Sequence, residues 1–358
     1  MIKSWFGRVF PVANKQSGKP GGGKICRWPL DELVILSDGL VTSCCLDPER
    51  RNAFASIYEH DYRQVFFERF AEFRRRMAAD LASYPNCVAC FEYNAGLNER
   101  RGKLYFIEKA TKDELADFLV PERLPKRLVI ELTSVCNLKC IDCVHAHVDL
   151  KDLRLDRKSF LDVGRLKEWL EPFIAKLEGI RLYNYGETFI HPEAIDFISW
   201  LGRMNPTLKI GIATNGLLLD KEPMLERLVA AQPAFLKFSV HGGSQEAVEK
   251  FMGRGSDYEK VVMNMKKLVG IRERMGYKSP LIGWKCVLFE WNDSDEEMDK
   301  IRKKAGEIGV DFYGFDLTAG PYKSKRFTQD SAEWRALQAQ GEDFNAAAKE
   351  KLGLDYII

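Results

Sequence analysis

The chain has 358 residues, 46% apolar and 30% charged, enough to bury a large core in the manner of an ordinary globular protein. Its 54 basic and 52 acidic side chains leave a formal charge of +2, so no charge excess points to nucleic acid or to a membrane surface as partner. No run approaches the roughly 18 apolar residues of a membrane span, and the first residues lack the apolar stretch of a signal peptide. The expected location is the cytoplasm, where nine cysteines suit metal ligation or redox chemistry better than disulfides.

Residues 1–24 read as a flexible leader. Its Gly18–Lys24 stretch superficially matches a phosphate-binding loop, but Ile25 stands where Ser or Thr must bind magnesium. Residues 25–95 form a small cysteine-rich module. Within it, 33–45 reads as a hairpin turning at Asp38–Gly39. A helix follows over about 61–82, with Val65, Phe66, Phe70, Phe73 and Met77 on its apolar face and Arg69, Arg74, Arg75 and Arg76 on the other. The module ends at Cys87-Val-Ala-Cys90, and 96–125 is a connector with one short helix near 111–119.

From 126 to 320 the pattern alternates strand and helix. Strands are expected at 127–132, 179–186, 209–216, 235–242, 281–289 and 310–317. Helices are expected near 158–177, 192–204, 222–231, 244–275 (as two) and 294–308. His191–Pro192 is expected to open the second of these. Six such units imply a parallel sheet with right-handed crossovers. The fold class is therefore α/β, a partial (β/α)6 TIM-like barrel carrying a small N-terminal hairpin and helix module. Its functional groups are expected at the C-terminal strand ends. Residues 321–358 supply a loop and one amphipathic helix near 330–351.

Nine cysteines fall into two groups and one single residue. Cys136, Cys140 and Cys143 form a C-x3-C-x2-C spacing directly after the first barrel strand. Closely spaced thiolates hold iron–sulfur clusters, usually four of them. Three with no near fourth leave one iron open to a small molecule, as a catalytic zinc site keeps one position free.

This pattern resembles the radical S-adenosylmethionine (radical SAM) superfamily over roughly 126–320. The resemblance implies a [4Fe–4S] cluster whose open iron binds SAM, and reductive cleavage to a 5′-deoxyadenosyl radical that abstracts hydrogen from substrate. Gly186–Glu187 resembles the family motif that receives the SAM amino group, where a carboxylate is the natural partner of an ammonium. Thr214, Asn215 and Gly216 match a turn near SAM, and Ser239 matches a ribose or carboxylate contact. Asp142 departs from the family, which often has an aromatic residue before the third cysteine. Ile141 or Val144 would then meet the adenine.

Cys26, Gly39-x4-Cys44 and Cys87-x2-Cys90 resemble the SPASM/twitch module of the same superfamily, placed here before the barrel instead of after it. The resemblance implies an auxiliary [4Fe–4S] cluster held by Cys26, Cys44, Cys87 and Cys90. Cys45 could replace Cys44, since neighbouring strand residues point to opposite faces. A four-cysteine zinc ribbon is the alternative.

Cys286 stands alone on the fifth barrel strand, either as a small core residue or as a thiol donating hydrogen to a substrate radical, with Cys45 its rival. His145 and His147 beside the cluster loop read as polar loop residues, and Tyr322–Phe327 as a basic loop at the active-site end. The expected reaction is oxidation or epimerisation of a small, carbohydrate-like substrate, with a flavodoxin or ferredoxin as reductant. Peptide or protein modification is the alternative substrate reading. A non-catalytic iron–sulfur electron carrier is the alternative of another class.

Overall fold

The structure, a computed structural model, describes residues 25–26, 28–45, 47, 50–84, 87, 106–107, 110–143, 160–318 and 320–353. The expected leader, Cys90, Val144, His145 and His147 lie outside the described residues. The chain divides into two compact units, residues 1–134 with 150–180 and residues 135–149 with 181–358.

In the first unit a short ladder pairs β1 (Ile25–Cys26) with β5 (Phe106–Ile107). The expected hairpin is present as β2 (Glu32–Ile35) and β3 (Leu40–Thr42), and β4 (Ala53–Ser56) adds a third strand that the sequence did not announce. Gly39 takes the left-handed conformation at φ +78°, which a tight turn requires and glycine supplies without a Cβ clash. Cys44 and Cys45 fall beyond the end of β3, so strand alternation does not set which of them faces where, contrary to expectation. Cys45 packs against Val34, Leu36 and Val129.

β2 also pairs in parallel with β6 (Arg127–Ile130), from Glu32 opposite Arg127 to Ile35 opposite Ile130. Glu131, just past β6, accepts the Ser37 hydroxyl at 2.8 Å and so ties the hairpin turn to the strand. The hairpin is therefore an extension of the sheet. Its strand order in this unit is β7–β6–β2–β3–β4, with β7 at Gly179–Leu182.

The expected helix runs over 62–79, with a π-helical stretch at Gln64–Arg69. Val65, Phe66, Phe70, Phe73 and Met77 are all buried, as the periodicity requires. Phe66 meets Trp169 and Phe173 edge-on at 5.4 and 5.0 Å, so the helix packs on the segment after β6. Arg74 is a correction: it is fully buried, lies over the Phe70 ring at 4.6 Å and donates to the Val120 carbonyl. Burial brings its guanidinium down to about 10. The connector helix (Lys112–Leu119) starts at a capping box between Thr111 and Glu114.

The second unit continues in the order β11–β10–β9–β8–β7, with β8 at Lys209–Thr214, β9 at Phe235–Ser239, β10 at Leu281–Leu288 and β11 at Phe312–Leu317. The pairs β8–β9, β9–β10 and β10–β11 are parallel, and the strands stand beside one another in chain order, as a βα-repeat fold demands. Helices occupy Ala194–Met204, Glu222–Ala230, Gln245–Met252, Tyr258–Arg274 and Asp295–Ile308. The helix after β7 begins at Ala194, two residues beyond Pro192, because Thr188–Ile190 first makes a 3-10 turn.

The strands sort their faces cleanly. On β10, Ile282, Trp284, Cys286 and Leu288 are fully buried, with Trp284 beside Tyr258 of the helix layer. The other face carries Lys237, Ser239, Lys285 and Asp316 and lines the lumen of the open barrel.

The expected terminal helix is two: Ala332–Ala339 and Phe344–Leu352. Gly341, at φ +74°, follows the end of the first helix, and Asp343 caps the second by accepting from Ala346 N at 3.0 Å. The second helix lies against the lumen face of β11. A Cβ on Gly314 would fall 2.6 Å from the Phe344 backbone, so only glycine permits this approach.

Candidate active site

The loop of Cys136, Cys140 and Cys143 and the ends of β7 to β10 belong to one unit. The loop is pinned at both ends by backbone bonds. Glu187 N donates to the Val135 carbonyl at 2.9 Å, and Ile141 N donates to the Phe251 carbonyl at 2.9 Å. The three thiols are partly exposed and act on one another's ionisation. Burial raises Cys136 to about 11, and burial followed by its two neighbours raises Cys140 to about 12. Such thiols stay protonated without a metal and must release protons to bind one.

Glu187 is almost fully buried. Its Oε1 accepts the Thr214 hydroxyl at 2.9 Å, and its Oε2 accepts Asn215 N at 2.8 Å. Burial raises its carboxyl above the ordinary range, against these hydrogen bonds. Asn215 Nδ2 donates to Asn137 Oδ1 at 2.8 Å, inside the C-x3-C spacing. Glu187, Thr214, Asn215 and the cysteine loop thus form one connected polar network. Gly186 is half-buried beside it, and Ser239 is half-buried on β9 opposite Lys285.

Asn137 was not singled out from sequence, although its place between two candidate ligands was a signal. Asn184 was missed as well: its buried Nδ2 has no hydrogen-bond partner, two residues before Gly186. A buried donor without a partner is costly, and a polar ligand at Gly186–Glu187 would meet it. Among the described residues no three His, Cys, Asp or Glu side chains converge as a single-ion site. Mutually interacting thiols on one loop and an open donor fit an iron–sulfur cluster with SAM, since a cubane takes one thiolate per iron corner.

His241, also overlooked in the sequence, lies two residues past Ser239, the last residue of β9. Its Nδ1 accepts Val287 N at 3.1 Å, so the other nitrogen carries the proton of the neutral ring. Burial first, then Lys285 and Lys237 against Asp316, holds its imidazole down at about 3.

Cys286 is fully buried on the helix-side face with Trp284, and Asn292 Nδ2 approaches its sulfur at 3.7 Å. Burial pushes its thiol far up. Pleating turns residue 286 away from Lys285, so the Cys286 side chain lies on the helix-side face. Asp142 lies against Gly320, where a Cβ would fall 2.0 Å from its Oδ2.

In the N-terminal unit Cys26, Cys44 and Cys87 are all partly exposed. Asn52, itself buried, donates its Nδ2 to Cys87 Sγ at 3.4 Å.

The radical SAM superfamily profile matches residues 130–276, and that of the SPASM iron–sulfur cluster-binding domain matches residues 26–91. The chain is 30% identical to the tungsten-containing aldehyde ferredoxin oxidoreductase cofactor-modifying protein of Pyrococcus furiosus, over 52% of this chain and 49% of that protein. It is 21% identical to the antilisterial bacteriocin subtilosin biosynthesis protein AlbA of Bacillus subtilis, over 60% of this chain and 52% of that protein. It thus spans about half the length of these curated relatives. SuiB of Streptococcus suis is similar in structure at a TM-score of 0.46 and 14% identity, over 88% of this chain and 68% of SuiB.

Proposed function

We propose that this chain, whose residues 130–276 match the radical SAM superfamily profile and residues 26–91 that of the SPASM domain, is a radical SAM enzyme that abstracts hydrogen from a small substrate and leads it to net oxidation. The observation that carries this reading is the buried Glu187 carboxylate, bonded to Thr214 and Asn215 and linked through Asn137 to the cysteine loop.

Cys136, Cys140 and Cys143 would hold the SAM-binding [4Fe–4S] cluster, and Cys26, Cys44, Cys87 and Cys90 the auxiliary one. When bound, the first cluster would supply the single electron for reductive cleavage of the SAM carbon–sulfur bond, and the auxiliary cluster would accept the second electron that net oxidation of the substrate releases. Glu187 faces the ammonium of SAM and orients it, while Thr214 and Asn215 fix the carboxylate against rotation. Asn184 donates to the same ligand. Gly186 lets the backbone approach, and Ser239 meets the ribose from the next strand but one. The electron comes from a flavodoxin or ferredoxin of a reducing, cytoplasmic setting.

The core position of Cys286 favours oxidation over an epimerisation that uses this thiol. Peptide modification is the second reading, favoured by the likeness to a bacteriocin biosynthesis protein.

The test is 5′-deoxyadenosine release by anaerobically reconstituted protein given SAM and dithionite. Wild type should release it. The variant with Cys136, Cys140 and Cys143 all changed to Ala should fall to background and lose one cluster's iron. Release by that variant, or none by cluster-loaded wild type, ends the reading.

A further inference from the structure

At the N-terminal ends of the barrel strands, away from the cysteine loop, the second unit holds a cavity of about 930 Å³. Its floor is the start of three neighbouring strands. Ala234 N donates to the Ile210 carbonyl at 2.8 Å and Leu281 N to the Ala234 carbonyl at 3.0 Å, so β8, β9 and β10 begin side by side. The helices Ala194–Met204, Glu222–Ala230 and Phe344–Leu352 end around them. Leu208, Ile210, Leu281 and Leu352 give the cavity an apolar wall.

Five cations line the same space, Arg203, Lys209, Arg227, Lys278 and Lys351, and no carboxylate does. Arg227 reaches Asp196 at 2.6 Å, whereas the other four have no ion pair among the described residues. Arg203 and Lys351 stand in the last turns of their helices, where the backbone dipole favours a cation. Lys209 opens β8 and Lys278 precedes β10, so no helix end of their own explains them. Like charges gathered in a concavity raise the local potential, and an anion relieves it.

Gln232 lines this cavity in a strained backbone conformation. Its φ is +49°, and Arg50 of the first unit is the other non-glycine residue with positive φ among the described residues. Gln232 follows the C-cap of helix Glu222–Ala230, a place where glycine ordinarily takes the left-handed conformation. Glycine would fit the backbone better. Glutamine adds an amide at the cavity, and that amide has no hydrogen-bond partner among the described residues. Strain of this kind persists where a site uses the side chain.

We propose that this cavity binds a phosphorylated small molecule of nucleotide size, its phosphate groups among Lys209, Lys278 and the Gln232 amide and its body on the apolar wall. The volume suits such a ligand, and converging cations suit its several negative charges. The site is separate from the groups assigned to SAM and does not depend on that reading.

The test is calorimetric titration of the reconstituted holoenzyme with uridine diphosphate and, separately, with pyrophosphate, in low-salt buffer with saturating SAM. Both should bind, uridine diphosphate more tightly because its nucleoside covers the apolar wall. Lys209→Ala with Lys278→Ala should weaken both about tenfold or more, the loss expected for charge-assisted bonds. Lys209→Arg with Lys278→Arg should keep most of the affinity, which a general folding defect would not allow. Gln232→Gly separates binding from folding: it should raise the urea midpoint by relieving the backbone and yet weaken binding severalfold. No binding by wild type, unchanged affinity in the double Ala variant, or pyrophosphate bound as tightly as uridine diphosphate would each overturn the proposal. So would Gln232→Gly that binds as well as wild type.

Discussion

In the barrel unit the candidate ligands Cys136 and Cys143 stand seven positions apart on one loop, whereas Cys26 and Cys87 of the N-terminal unit stand 61 positions apart. The first group needs only a turn after β6 and two backbone bonds to be held in place. The second needs a hairpin, a helix packed on Trp169 and Phe173, and the Asn52 contact to Cys87. The difference is one of entropy. A short ligand loop forms at little cost, while a dispersed ligand set closes a long loop and so ties its cluster to the fold around it.

The sharpest way to break this comparison is to remove the ligands separately. Cys26→Ala with Cys87→Ala should lower urea stability of the cluster-loaded protein by about 2 kcal/mol more than the triple Ala variant of the barrel loop, the logarithmic penalty for the longer closed loop. An equal loss from both variants would mean that the N-terminal thiols do not cross-link their segments.

The second test concerns the dryness of the barrel interior. His241 is neutral when folded, with its imidazole held at about 3, while the unfolded chain protonates it near 6.5. The unfolded state therefore binds more protons between these values. Stability is intact above pH 6.5 and falls as pH drops, by about 1.4 kcal/mol per pH unit at most. His241→Asn, whose side-chain oxygen can still accept Val287 N, should flatten this slope in urea titrations from pH 7 to 5. A slope identical to wild type would mean that water reaches the ring.

The smallest effect belongs to Asn52. An N–H donor on a ligand sulfur withdraws electron density and raises a cluster's potential. Asn52→Leu should lower the auxiliary potential in an EPR-monitored redox titration and leave that of the SAM-binding cluster alone. An unchanged auxiliary potential would separate Cys87 from that cluster.

Much of this architecture was legible in residue order. The six barrel strands, the paired helices between 244 and 275 and the apolar face of Val65, Phe66, Phe70, Phe73 and Met77 follow from periodicities that local backbone geometry imposes. The C-x3-C-x2-C loop was legible because its residues are neighbours. The break at Gly341 was harder to see, since an isolated glycine inside an amphipathic pattern does not by itself end a helix.

Other features depended on residues far apart in the chain. No local pattern shows that β2 pairs with β6, that Arg74 lies buried on Phe70, or that Cys286 faces the helix layer. Strand alternation gives two faces to residue 286, and only the packed helix Tyr258–Arg274 identifies which is core. The lumen charges are of the same kind. Arg181, Lys237, Lys285 and Asp316 are scattered over 136 residues, and each alone reads as an ordinary solvated side chain. The sequence by itself determined the periodic elements and the cysteine loop, because both arise from interactions between near neighbours. The tertiary structure decided which charges share the lumen, because parallel pairing brings together residues separated by whole helices.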